Sequence, residues 1–176
     1  YKIITTDNLD NYNLGNLGVS LTSIDSISYE VRRYGSESLT ANGGISLANH
    51  YYLDITEVIN NENNIEIGLI YNDNDLNGLE EDNISLLHSL DNLNWTALEA
   101  TLDIETNTFS GALIEESMYS GYLTIGTAGC TDSIATNYNP EAFGDDGSCS
   151  YSQTMSLHDG ANLKSFYVLP DDTSLD

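Results

Sequence analysis

The sequence predicts an all-β protein built around an antiparallel β-sandwich, Ig-like or jelly-roll-like. Three observations predict it. Apolar and polar residues alternate with period two through most of the first 126 residues. The runs are separated by turns rich in Asn, Asp and Gly, in a chain with only 2 Pro. The runs also recur at a spacing of about 8–12 residues, which suits a sandwich better than a parallel sheet.

The predicted strands, in order, are Lys2 to Thr6, Gly18 to Ser23, Ser26 to Tyr34, Ile45 to Thr56, Ile65 to Tyr71, Ile84 to Leu90, Trp95 to Leu102, Thr108 to Ile114 and Gly121 to Ile125. In Ser26 to Arg32, Ile27, Tyr29 and Val31 share one face while Ser28, Glu30 and Arg32 share the other, so one face is core and the other wet. Asp91-Asn92-Leu93-Asn94 and Glu105-Thr106-Asn107 read as hairpin turns. Val58 to Asn64 reads as a loop, because short polar side chains compete with helical hydrogen bonds. No segment predicts a helix longer than two turns.

Charge narrows the function. The chain has 176 residues with 28 acidic against 4 basic side chains, a net charge of −24. Such a surface repels nucleic-acid backbones and anionic lipid, and Lys2, Arg32, Arg33 and Lys164 form no basic track. Nucleic acid is therefore excluded as a partner. Membrane insertion is excluded too, since no apolar run approaches the ~20 residues a spanning helix needs. Hydrophobic residues make up 40%, and 12 Tyr add bulk for a core, so the acidic chain is expected to fold. It opens on Tyr1 and ends just after a strand-like segment, and reads as a piece of a longer precursor.

Composition changes at Gly126-Thr127-Ala128-Gly129, read as a small-residue hinge, so the expected division is 1–126, 127–152 and 153–176. Within the middle part, Gly129-Cys130-Thr131-Asp132, Ala135 to Ala142 (containing Asn137-Tyr138-Asn139-Pro140) and Asp145-Asp146-Gly147-Ser148-Cys149-Ser150-Tyr151 resemble a short Cys-bounded acidic module. That module recurs in secreted surface proteins, especially of marine Bacteroidota. Tyr51 to Ile55, Ile65 to Tyr71, Asp75 to Gly78 and Ser89 to Trp95 resemble β-sandwich domains near the C-termini of type IX-secreted proteins. Ser89-x-Asp91-x-x-x-Trp95 is similar to an Asp-box hairpin, with Leu93 where that turn wants Gly.

The resemblance and the spacing together imply a Cys130–Cys149 disulfide and an oxidising, extracellular or cell-surface location. A metal site is the alternative for two cysteines, but it wants more thiol or imidazole ligands than this segment holds. The fold expectation is then a sandwich, a small disulfide-closed loop module, and a terminal segment that either opens a further module or donates Met155 to Leu169 as a strand to a neighbour.

Two acidic loops are candidates for Ca2+. In the Cys-bounded segment these are Asp132, Asn137, Asp145 and Asp146, for which turn capping is the competing reading. Asp73, Asp75 and Asn77 precede Gly78 in a D-x-[DN]-x-[DN]-G pattern, but Ile84 stands where an EF-hand needs Glu, and an ordinary Asn-Gly turn is the stronger reading. Ser26 and Ser133 lie in Asp-Ser-Ile triplets that resemble bacterial O-glycosylation acceptors, and Asn83 and Asn94 head N-linked sequons.

No catalytic constellation is legible. His50, His88 and His158 lie in separate segments, and Glu80-Glu81-Asp82 and Glu115-Glu116 read as solvated turns. Arg32 and Arg33, adjacent on a strand, point to opposite faces, and one is expected to pair with a carboxylate. Trp95 reads as a core anchor rather than a sugar platform. The expected function is an extracellular structural or adhesion module, not an enzyme. It self-associates or joins neighbouring modules of its precursor into a filament or sheath stiffened by calcium. The alternative is a carbohydrate-binding module or accessory domain of a secreted hydrolase, with Tyr51, Tyr52 and Tyr119 available for stacking on glycans.

Overall fold

A computed structural model describes residues 2–6, 9–13, 17–23, 26–35, 38–47, 49–59 and 65–154. The segment from Met155 onward, with its predicted strand, and residues 60–64 of the predicted loop lie outside the described residues. The protein is all-β. The helical elements among the described residues are 3-10 turns at Asp73–Asp75, Glu81–Asn83 and Glu116–Met118.

The strands are β1 (Lys2–Thr6), β2 (Leu9–Asn13), β3 (Val19–Ser23), β4 (Ser26–Tyr34), β5 (Thr40–Ala41), β6 (Gly44–Ile45), β7 (His50–Ile59), β8 (Ile65–Ile70), β9 (Ile84–Ser89), β10 (Thr96–Ala97), β11 (Thr101–Asp103), β12 (Thr108–Ile114), β13 (Ser120–Gly129) and β14 (Gly144–Asp145). Prediction and structure coincide at β1, β4 and β12, which have the expected bounds. In β4, Ile27, Tyr29 and Val31 are buried while Arg32 is exposed.

Two long predicted strands are each broken in two. Ile45 to Thr56 is interrupted at Ser46, whose buried hydroxyl accepts from the Leu39 N–H (2.9 Å) and donates to the Leu47 carbonyl (2.8 Å). The main chain there turns to other partners, Ser46 N–H donating to the Leu39 carbonyl (3.0 Å) and Leu47 N–H to the Ile125 carbonyl (2.8 Å), and β7 starts only at His50. Trp95 to Leu102 divides because the chain changes sheets: β10 pairs with β9, whereas β11 pairs with β12. At the other end, β7 runs through Val58 and Ile59, where the sequence reads as loop.

Seven strands form one sheet in the order β1-β4-β7-β13-β14-β10-β9, and five form another in the order β11-β12-β8-β3-β2. Both feed one apolar core, with Val19, Leu21, Ile67, Leu69 and Phe109 from the five-stranded sheet and Ile27, Tyr29, Leu53, Leu86 and Leu123 from the seven-stranded one. Each fully buried aliphatic side chain contributes about 1.5–3 kcal/mol relative to exposure.

Strand β13 pairs with β7, β9 and β14 in turn, and because β14 also pairs with β10, and β10 with β9, the four strands β13, β9, β10 and β14 close into a small barrel. The two pairings of β14 are parallel, a departure from the wholly antiparallel expectation. The reason is topological: after β13 the chain makes a long excursion and comes back in the same direction. Leu87, Trp95 and Phe143 form a second, smaller core there.

His88 lies at the rim of the main core, buried, its ring bonded to the Met118 backbone and its Nε2 without a hydrogen-bond partner. Burial pushes its pKa below the ordinary 6.5, and burial does the same to half-buried His50, which stacks on Tyr34 at 4.9 Å. The unfolded chain takes up protons below about pH 6.5 that the native state resists. Stability that is complete above that value is therefore lost as pH falls toward the lower folded pKa values. Melting temperature against pH is expected to fall below pH 6.5 in the wild type, and to be flatter in a His50→Gln/His88→Gln variant. An equal slope in both proteins would contradict this.

Candidate functional site

The sequence-predicted residues that the structure brings together lie in the Cys-bounded loop. Cys130 and Cys149 form a disulfide. Inside it, Asn137 ties one side of the loop to the other, its Nδ2 donating to the Ser148 carbonyl (2.7 Å) and its Oδ1 accepting from the Ser150 N–H (2.8 Å). Thr136 N–H reaches the Ser150 carbonyl (2.8 Å), and the Tyr151 hydroxyl donates to Asp132 Oδ2 (2.6 Å). The Tyr151 hydroxyl and the Ile134 N–H hold the Asp132 carboxyl below the usual carboxylate range.

The loop is seated on the body through residues that sequence reading missed. Phe143 is fully buried and meets Trp95 with ring centroids 5.3 Å apart. Around it, Phe143 N–H donates to the Thr127 carbonyl (2.9 Å), Asp145 N–H to the Trp95 carbonyl (2.9 Å), and Asn42 Nδ2 to the Phe143 carbonyl (3.2 Å). Gly44 is required by close approach, because a Cβ there would lie 2.5 Å from the Phe143 nitrogen. Gly126 to Gly129, read as a hinge, is the paired end of β13. The available signal was Ala142-Phe143, one of two apolar pairs in the loop; in the other, Ile134-Ala135, the isoleucine is exposed. A loop without a core of its own borrows one from the body.

The calcium candidates are occupied by protein donors in different ways. Asp73 accepts from Asn107 Nδ2, and Asp75 Oδ2 accepts from Asn49 Nδ2 (2.5 Å) and faces Arg33 at 3.6 Å. Asp145 and Asp146 cap their own turn by accepting from the Gly147 (3.3 Å) and Ser148 (2.8 Å) N–H groups. Asn77 has φ 54°, in an exposed turn closed by the Leu79 N–H to Leu76 carbonyl bond (2.9 Å). Among the described residues no group of three or more His, Cys, Asp or Glu side chains is placed to hold a metal ion. No helix among them is long and apolar enough to cross a membrane.

Asp91 builds the turn predicted between β9 and β10. Its Oδ1 accepts from the Asn94 (2.8 Å) and Leu93 (2.9 Å) N–H groups and its Oδ2 from Asn94 Nδ2 (2.8 Å), which hold this carboxyl far below its ordinary pKa. Trp95, just after it, is buried as a core anchor. Of the tyrosines read as a glycan platform, Tyr51 and Tyr119 are core residues and Tyr52 packs edge-on against Tyr122 at 5.3 Å. Alternation on β7 puts Tyr51 and Tyr52 on opposite faces.

Both arginines, not one, meet a carboxylate: Arg32 pairs with Glu30 and lies over the Tyr52 ring, while Arg33 faces Asp75 and the Tyr51 ring. Of the O-glycosylation candidates, Ser133 is exposed in a turn, and Ser26 opens β4 opposite Ile59. No protein-family model, curated protein or solved structure matches the chain.

Proposed function

We propose that this chain is an extracellular structural and adhesion module of a larger surface protein, of the type the Cys-bounded acidic loop resembles. The observation that carries the reading is the way the disulfide-closed loop delivers Phe143 and β14 into the small barrel. A covalently closed loop that completes the fold of its neighbour suits a protein that must keep its shape in an oxidising exterior. The larger body is read as a β-sandwich, supported by the single core to which both sheets contribute. With 28 acidic against 4 basic residues, the surface favours a cation-rich medium, where counter-ions relieve self-repulsion. Assembly of copies or neighbouring modules, stiffened by calcium, is the working role.

The test is thermal unfolding with light scattering in calcium and in sodium at matched ionic strength. A specific site held at 100 times its Kd adds about 2.7 kcal/mol. The expected result is a larger upward shift in calcium and particles above monomer size. A monomer in both salts, with equal shifts, overturns the assembly reading; glycan-array binding by that monomer would transfer the assignment to carbohydrate recognition.

A further inference from the structure

The described residues contain two Asn-Gly dipeptides, Asn42-Gly43 and Asn77-Gly78. They share their local geometry. Both residues of each pair have positive φ, 51° and 102° in the first and 54° and 86° in the second, as tight turns of this kind demand. Local sequence and backbone therefore do not separate them. Their surroundings do.

Asn42 is tethered. Its Nδ2 donates to the Phe143 carbonyl (3.2 Å), its turn joins the paired strands β5 and β6, and Gly43 is pressed so close that a Cβ there would lie 2.3 Å from the Pro140 carbonyl oxygen. Moving this turn means unseating it from the disulfide-closed loop. All four residues are exposed, but Asn77 and Gly78 lack such a tether: no heavy atom lies within 4 Å of a Cβ built on Gly78, and the turn is closed by the Leu76–Leu79 main-chain bond (2.9 Å).

From this contrast we infer that Asn77 is a site of spontaneous deamidation in the folded protein, and that the disulfide-closed loop protects Asn42 from the same reaction. The main-chain nitrogen of Gly78, giving up its proton, attacks the side-chain carbonyl carbon of Asn77. The new N–Cγ bond forms as the Cγ–Nδ2 bond breaks, and ammonia leaves with the transferred proton. Water then opens the cyclic imide at either carbonyl, giving aspartate or isoaspartate at 77; nothing is oxidised or reduced. Glycine after asparagine is what admits the attack, since no side chain shields its nitrogen and its backbone turns freely. The isoaspartate product carries an extra main-chain atom in the turn. It would loosen Leu76 and Leu79, both packed against the main core, and add a negative charge beside Asp73, Asp75 and Glu80.

The experiment is incubation of the full chain, folded and disulfide-intact, in mildly alkaline buffer. Peptide mapping by mass spectrometry follows aspartate and isoaspartate at 42 and 77, with a urea-unfolded sample as control. In the folded protein, conversion at 77 is expected to outrun that at 42 by about tenfold or more, because Asn42 reacts only through local opening. In urea the two rates should converge. Reducing the disulfide should accelerate Asn42 selectively and leave Asn77 unchanged. Equal rates in the folded protein, or an Asn77 that stays intact while the unfolded control reacts, would overturn the assignment. An Asn42 that stays slow after reduction with its loop released would overturn the protective role of the loop.

Discussion

Phe143→Ala is expected to cost about 3–5 kcal/mol, the range for truncating a fully buried Phe in a tight site. The site is tight because Leu87, Trp95 and Phe143 make up the buried centre of the small barrel, and the barrel wall is completed by the residues just after Phe143. Removing the ring leaves a cavity and also weakens the hold on β14, whose pairings with β10 and β13 have few bonds to spare. For a chain of this size the melting midpoint should drop by roughly 10 °C. Trp95 is the single tryptophan, so its fluorescence reports this site alone. Its emission should shift to longer wavelength as water reaches the indole. A loss under about 1 kcal/mol with unchanged emission would show that the loop is not a structural part of the barrel.

Replacing both cysteines by serine is expected to cost about 3 kcal/mol from released chain entropy, given a sequence separation of 19. Cys130 is buried at the end of β13 and its carbonyl accepts from the Asn139 N–H (2.9 Å), so the cross-link fixes the start of the loop as well as closing it. The disulfide and Phe143 hold the same segment, and their effects should not add. In the triple variant the loss should fall short of the sum, because a loop already unseated gains little from a cross-link. Chemical denaturation of the wild type, the Phe143→Ala variant, the double-serine variant and the combination measures this coupling. Strict additivity would mean that the disulfide stabilises the loop without holding Phe143 in place.

How far the sequence could be read depended on where the determining contacts lie. Ser26 to Tyr34 declares itself because a half-buried strand must alternate, and nine residues are enough to show the period. Asp91 declares the hairpin because its bonds reach only two or three residues along the chain. By contrast, β5, β6, β10 and β14 are two residues each, too short for any periodicity, and β14 exists because β10 and β13, far from it in the chain, offer it partners. The paired end of β13 shows the same limit. Gly126 and Gly129 look flexible in isolation, yet their missing side chains are what let Phe143 and Asn139 come close.

The candidate site divides along the same line. Cys130 and Cys149, the acidic turns and the Asx caps are local in sequence and were legible there. Burial of Tyr51 and Tyr119, the bond from Asn49 to Asp75, and the seating of Phe143 against Trp95 join residues far apart in the chain. The sequence by itself determined the all-β class, the long strands, the Asp91 turn and the covalent loop, because backbone alternation, turn chemistry and cysteine spacing act over short distances. Only the tertiary structure decided which strands share a sheet, which aromatic rings are core, and which of two Asn-Gly turns is tethered to the disulfide-closed loop, because those outcomes depend on long-range packing.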